Sequence, residues 1–462
     1  MNRKTVVALA AAMGLALAGI MPARAADARS EVCLANAGAM VDALARADYA
    51  NAAGRFAPGG KAPGAAGLEQ LWRAAGQQMG AYRRHGAPRT ASLDGKPVAV
   101  VEMQYARLTQ DLVMWCDGQG RLSAQRFMDP AMVAMAKYAT SPHPQAPHVE
   151  ADGVRVTPLD VPSPAGPLYG ALTLPPGHGP FPAVVMVAGS GAQDRDESIG
   201  PNQPFRELAE GLAKQGVASL RYDKRNFDHK AWKGEYVIDA EVTDDAVAAL
   251  RLLSAQKGID PRRVFVLGHS LGAMMAPRIA MRSGQAAGLV LLAAPARPIF
   301  EVLKQQGRDQ AQKHNLPPEV ARKSQAVIEG EEKLLAGIAP GQPAPAGTFM
   351  GQGSHAYWLS WSRVDPVADA RAAALPVLFL QGGGDFQVSP ELDFGRWKQA
   401  MQGRADTAFH LYPGLSHLFM PAGKTGTVAD YLAPGHVQPQ VIEDIAAWVK
   451  AARPRPGGAR AR

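Results

Sequence analysis

At 462 residues with 47% hydrophobic content, the chain can bury a large core and divides most simply into two domains. Its formal net charge of +8 would suit a polyanionic partner, but Arg3, Lys4 and Arg24 belong to an N-terminal leader, and Arg453, Arg455, Arg460 and Arg462 to a Pro/Gly-rich end. The part that folds is left near neutral. Basic blocks in such ends are more often solvated than bound, so no nucleic-acid partner is expected.

Residues 1–25 read as a signal peptide. Arg3 and Lys4 give a positive start, residues 5–20 carry no charge, and Ala23-Arg24-Ala25 is a small-x-small cleavage site. The apolar run is shorter than the ~20 residues of a spanning helix. Ile20 follows Leu17-Ala18-Gly19 where a lipoprotein would need Cys. The expectation is an exported protein without a membrane anchor, in the periplasm or the medium.

Two helical faces come next, one marked by Leu34, Ala37, Val41 and Leu44, the other by Leu68, Leu71, Trp72 and Met79. Strand-like runs follow at 98–105, at 112–116 and, after a turn at Asp117-Gly118, at 122–127. Helices before an antiparallel meander predict a small α+β roll over residues 30–135. Its two cysteines, Cys33 and Cys116, are the only ones in the chain. In an exported protein they pair as a disulfide or pack as two buried thiols. No Cys-x-x-Cys spacing points to a metal, and no metal or cofactor is expected. Residues 141–150, with Pro142, Pro144 and Pro147, read as a linker.

From residue 153 to 450 the rhythm changes. Runs at 154–161 and 168–174 read as two antiparallel strands joined through Pro164-Ala165-Gly166. Apolar strands at 183–187, 217–221, 264–267, 289–293, 377–380 and 408–412 then alternate with helices. Such alternation predicts a mostly parallel sheet with helices on both faces, in which reactive groups gather at the carboxyl ends of the strands. Residues 298–370 form an insertion with helical runs at 302–312 and 320–335, expected to cap the site. Its aromatic residues Tyr357, Trp358 and Trp361 either line an apolar substrate wall or form the core of the insertion. Residues 453–462 read as a disordered basic tail.

The chemistry sits at the strand ends. Gly268-His269-Ser270-Leu271-Gly272 joins an apolar strand to an Ala- and Met-rich helix, which is the setting of a nucleophilic serine on a sharp strand-to-helix turn. Asp385 follows the strand at 377–380 through Gln381-Gly382-Gly383-Gly384, and His417 follows the strand at 408–412. The order Ser270, Asp385, His417 is that of a nucleophile, its acid and its base. Asp365 precedes Pro366 and reads instead as a helix-entry or turn residue. His410 and His436 read as structural. For the oxyanion of an acyl transition state, the expected donors are the backbone N–H of Leu271 and that of Ser190, with Gly189 and Gly191 less favoured. The run Asp194-Arg195-Asp196-Glu197 is expected to form ion pairs, with Arg221 or Arg225 as partners.

At these residues the chain resembles secreted bacterial α/β-hydrolases of the carboxylesterase type that carry a small N-terminal domain. The stretches that match are 189–197, 221–225, the Ser270 elbow, 385–388 and 414–417. The likeness runs over about residues 155–450 and, more weakly, 30–135, where the roll resembles a cystatin-like or transport-factor-like domain. Gly384, Ser416 and Asn226 depart from residues common in the family. The resemblance implies an α/β-hydrolase fold and hydrolysis of small to medium esters, with Ser270 as nucleophile, His417 as base and Asp385 as its partner. Two other readings stay open: an exported serine peptidase similar to prolyl oligopeptidases or aminopeptidases, and a non-catalytic binding protein.

Overall fold

The computed structural model describes residues 23–58, 63–93, 96–139, 142–164, 166–227, 234–349 and 353–453. The expected signal peptide and basic tail fall almost entirely outside them. The chain divides into two compact units, residues 1–139 with 305–328, and residues 140–304 with 329–462. Among the described residues, no helix is long and apolar enough to cross a membrane.

In the first unit, α1 (Ala23–Ala45), α2 (Tyr49–Ala53) and α3 (Ala65–Met79) precede five antiparallel strands: β1 (Tyr82–His85), β2 (Arg89–Leu93), β3 (Lys96–Tyr105), β4 (Thr109–Cys116) and β5 (Leu122–Met128). The sheet runs β1-β3-β4-β5, and β2 shares with β1 the free edge of β3. Strand alternation divides the apolar residues of β3 and β4 between two faces. Ala99, Val101, Met103, Leu112 and Met114 pack with Ala37, Met40, Val41 and Leu68 of the helices. Val98, Val100 and Val113 pack on the other face with Val133 of α4 (Pro130–Met135). Burial on both faces is why these two strands are legible as continuous apolar runs. By contrast, β1 and β2 are polar and largely exposed, so they carry no such signal and went unforeseen. Cys33 on α1 and Cys116 at the end of β4 are joined in a disulfide.

The second unit is built on a nine-stranded sheet. Its strands begin with β6 (His148–Val149), β7 (Arg155–Pro158), β8 (Val161–Ser163), β9 (Gly166–Leu168), β10 (Gly170–Leu174), β11 (Phe181–Val187) and β12 (Ala218–Tyr222). They continue with β13 (Ile259–His269), β14 (Leu289–Leu292), β15 (Val377–Gly382) and β16 (Thr407–Tyr412). The order is β16-β15-β14-β13-β11-β12-β10-β7-β6, with β8 and β9 forming a separate hairpin. The six strands from β11 onward are parallel where they pair with one another, and β6, β7 and β10 form an antiparallel edge.

Two expectations change here. The predicted long hairpin over 154–174 is broken in each arm, because Leu159 and Gly170 bond to each other where the chain leaves one sheet for the other. The predicted linker ends inside the fold, since His148 and Val149 pair with Val156 and Arg155 as the edge strand.

After β11 the chain turns to β12 on one side and then to β13 on the other. The β11/β13 boundary is therefore the point at which a parallel sheet opens a crevice at its carboxyl edge. Right-handed crossovers place the intervening helices on opposite faces. Accordingly α5 (Pro204–Lys214) packs with α13 (Pro439–Ala451), and α6 (Asp244–Ser254) with α7 (Leu271–Ser283). Between β14 and β15 lie α8 (Ile299–Lys313), α9 (Pro318–Ala336), α10 (His355–Ser362) and α11 (Pro366–Ala373), and α12 (Gly395–Ala400) precedes β16. The outer part of the α8–α9 hairpin, residues 305–328, groups with the first unit, so the insertion expected at 298–370 is not one body. Helical periodicity shows that a hairpin exists but not with which unit its tip groups.

Candidate active site

Ser270 stands between β13 and α7, at φ 53° and ψ −115°. That is a left-handed backbone for a residue with a Cβ, a strain of the kind found at functional turns. The turn is held because its Ser270 N–H donates to the Leu292 carbonyl of β14 at 2.9 Å. It also needs its two glycines: a Cβ at Gly272 would strike the Val187 carbonyl, and one at Gly268 the Gly272 carbonyl. The expected strand–turn–helix elbow is thus formed by close backbone packing of β11, β13 and α7.

Asp385 and His417 lie past the ends of β15 and β16. Their loops are laced together by backbone bonds, Gly383 N–H to Tyr412 O at 2.7 Å and Gly384 N–H to Leu415 O at 2.8 Å. Gly382 permits this, since a Cβ there would strike the Ser416 carbonyl. The result is a hydrogen bond of 2.7 Å from His417 Nδ1 to Asp385 Oδ2, with both residues buried. Gln381 Nε2 also donates to Oδ2 at 2.9 Å, while the backbone N–H groups of Gln387 and Val388 donate to Oδ1 at 2.8 and 2.9 Å. A carboxylate that accepts the Nδ1–H hydrogen bond favours the tautomer in which the His417 Nε2 lone pair is free to accept a proton. Asp365 does the work expected of a helix-entry residue, capping α11 through the N–H groups of Val367 and Ala368. His410 pairs with Asp444 and His436 with Glu207, so neither takes the place of His417 beside Asp385.

A second histidine–carboxylate pair lies against the first and was not anticipated. His269, the residue before Ser270, bonds through Nε2 to the His417 carbonyl at 2.9 Å and through Nδ1 to Glu197 Oε1 at 2.9 Å. The two histidine rings are 4.6 Å apart. Burial alone would lower the pKa of His269, but the charge and hydrogen bond of Glu197, with the His417 carbonyl, outweigh it and hold the value above that of an ordinary histidine. Glu197 Oε1 also receives the Gly189 N–H at 2.6 Å. This commits that N–H and removes Gly189 from the candidate oxyanion donors. A Cβ on Gly189 would lie 3.3 Å from Ser270 Cβ, so the loop after β11 abuts the elbow directly. Ser190 is exposed in that loop. Leu271 opens α7, where a helix leaves its first N–H groups without intrahelical acceptors.

The charged residues of the 194–197 run divide their partners. Asp196 pairs with Arg221 at 2.7 Å, as expected, whereas Arg225 pairs with Asp245, and Arg195 with Asp223 at 3.1 Å. Neither Lys224, which reaches Glu241, nor Glu241 itself was expected near the elbow; nothing in local sequence marks a lysine two residues past a strand as buried. In the insertion, Tyr357, Trp358 and Trp361 are buried against one another and against Phe300 and Phe349, with the Trp358 and Trp361 rings stacked at 5.4 Å. They form a small core, not an open wall. Trp361 Nε1 reaches the Met274 sulfur on the first turn of α7, so this core rests on the helix that carries the elbow.

The model of the alpha/beta hydrolase family matches residues 184–429, more than half of the chain. Esterase EstD of Thermotoga maritima is 38% identical over 282 residues, covering 61% of this chain and 65% of the esterase, so the match spans just under two thirds of that relative. Among solved structures, a 2,6-dihydroxy-pseudo-oxynicotine hydrolase is similar at 14% identity with a TM-score of 0.42, over 66% of this chain and 69% of its own. An esterase of Pyrococcus furiosus is similar at 15% identity with a TM-score of 0.42, over 68% of this chain and 97% of its own.

Proposed function

The chain belongs to the alpha/beta hydrolase family, and from that premise we propose that it is a serine carboxylesterase acting on small to medium esters through Ser270, His417 and Asp385. One observation carries the reading. A buried histidine bonded to a carboxylate at 2.7 Å is tied, through the His269 ring, to the residue next to a strained serine at the carboxyl edge of a parallel sheet. In the proposed reaction, Ser270 Oγ attacks the ester carbonyl while His417 Nε2 takes its proton, and Asp385 supports the resulting imidazolium. The oxyanion accepts from the N–H groups of Ser190 and Leu271. The tetrahedral adduct collapses as His417 gives the proton to the departing alcohol. Water, deprotonated by the same histidine, then releases the acid and restores Ser270. The similarity to EstD supports the ester class. The proposal includes export after cleavage near Ala25, with the Cys33–Cys116 disulfide suited to an oxidising compartment.

The test is a panel of short-chain p-nitrophenyl esters beside aminoacyl anilides. An amide needs its amine protonated in place before it leaves, whereas p-nitrophenolate departs readily as the anion. The expected outcome is a kcat/KM for esters higher by at least ~10³, about 4 kcal/mol in barrier, with Ser270→Ala abolishing fluorophosphonate labelling. Comparable efficiency on a Pro- or Ala-anilide would replace the esterase reading with the peptidase one.

A further inference from the structure

In the loop after β11, the carbonyls of Gly189, Ser190 and Gly191 are each held by a side chain. Lys224 Nζ donates to Gly189 O at 2.9 Å, Gln193 Nε2 to Ser190 O at 3.1 Å, and Asn226 Nδ2 to Gly191 O at 3.3 Å. Lys224 and Asn226 come from the turn after β12, and both also donate to the same atom, Glu241 Oε1, at 2.7 and 3.0 Å. Lys224 is 4% exposed and Glu241 2%. An ion pair taken this far out of water contributes little to stability compared with apolar residues of similar volume. What distinguishes this pair is the backbone it grips.

The peptide bond explains the consequence. In a planar trans peptide the C=O and the following N–H point in opposite directions. Holding the Gly189 carbonyl on Lys224 therefore turns the Ser190 N–H away from Lys224, and holding the Gly191 carbonyl on Asn226 fixes the far end of the loop. Glu197 secures the near end through the Gly189 N–H. The only rotatable peptide between the elbow-facing Gly189 and Ser190 is thus clamped from both sides. We infer that Lys224 and Asn226, anchored on the buried Glu241, are positioning residues that aim the Ser190 N–H at the oxyanion, an inference that rests on the serine-esterase reading above. Neither touches the substrate. Each acts by setting the direction of a backbone dipole that must be in place before charge develops, when reorientation would otherwise cost part of the stabilisation.

The experiment compares Lys224→Met and Asn226→Ala with wild type on p-nitrophenyl butyrate and against an alkyl trifluoromethyl ketone, whose adduct with the serine carries the oxyanion. For Lys224→Met, kcat should fall roughly 10²-fold, the scale of one misplaced oxyanion donor, with KM nearly unchanged. Asn226→Ala, which loses the longer bond, should fall less, by about 10-fold. In both, the ketone inhibition constant should rise in proportion to the loss of kcat/KM, because the adduct samples the same charge as the transition state. A merely structural defect reduces the folded fraction and hence kcat, but leaves that inhibition constant where it was. Loss of kcat with an unchanged constant, or wild-type turnover in both variants, overturns the inference. Should Lys224→Met not fold, Asn226→Ala makes the same comparison. A wild-type protein inert to esters, or a Ser270→Ala protein still labelled by fluorophosphonate, removes the esterase premise and the inference with it.

Discussion

Glu197 Oε1 serves two loops at once, receiving the Gly189 N–H at 2.6 Å and the His269 ring at 2.9 Å. Through His269 it also reaches the His417 carbonyl. This one atom thus links the loop after β11 to the loop that carries the proposed base, and the backbone of Glu197 is held at φ 52° to do so. The His269 pKa is raised, so folding favours its protonated form. The stability this supplies is full below the unfolded histidine value of about 6.5 and is lost as pH climbs through the higher folded value. In Glu197→Gln the opposing charge is gone, and burial then disfavours the imidazolium. The stability gap between wild type and Glu197→Gln, measured by denaturant unfolding at a series of pH values, should therefore be widest near pH 6 and narrow toward pH 9. A gap that widened with pH would mean that His269 is not charged. Glu197 could not be singled out from its neighbours because it closes an Asp-Arg-Asp-Glu run, a composition that reads as surface ion pairing.

At the scale of elements, two aspartates show why position relative to a strand end matters more than residue type. Asp365 precedes Pro366 and caps α11 with its carboxylate, while Asp385 leaves β15 through a glycine loop and meets His417. Asp365→Ala should cost about 1 kcal/mol of stability, as lost helix caps do, and leave ester turnover intact. Asp385→Asn should keep the fold and cut kcat by up to ~10⁴, since an amide at this position favours the wrong histidine tautomer. Steady-state kinetics beside thermal melts of the two variants check both halves. If Asp365→Ala were the crippling change, the acid would have been assigned to the wrong element. The distinction was visible in the chain because a parallel strand is a continuous apolar run, which makes its carboxyl end easy to locate. Where strands are short and polar, as in β1, β2 and β6, no such run exists and the sheet edges were missed.

At the scale of the whole molecule, the disulfide is the one covalent constraint, tying α1 to the end of β4 across a sequence separation of 83 residues. By the loop-closure model a bridge of this span is worth about 4 kcal/mol, so Cys33→Ser should lower the stability of the first unit by that order. Thiol titration of the denatured, unreduced protein should find no free thiol; two would reject the bridge. The sequence by itself determined the alternation that builds the parallel sheet, the serine elbow and the strand ends that carry Asp385 and His417. All of these follow from local periodicity and from turns that only glycine permits. Only the tertiary structure decided that the aromatic residues of the insertion form a core instead of a wall, and that residues 305–328 group with the first unit. It alone brought Lys224, Glu241, Glu197 and His269 around Gly189. Those four come from separate stretches of chain, and a charged side chain carries no periodic mark of burial. Whether it meets solvent or a buried partner depends on which strand ends the sheet order places side by side.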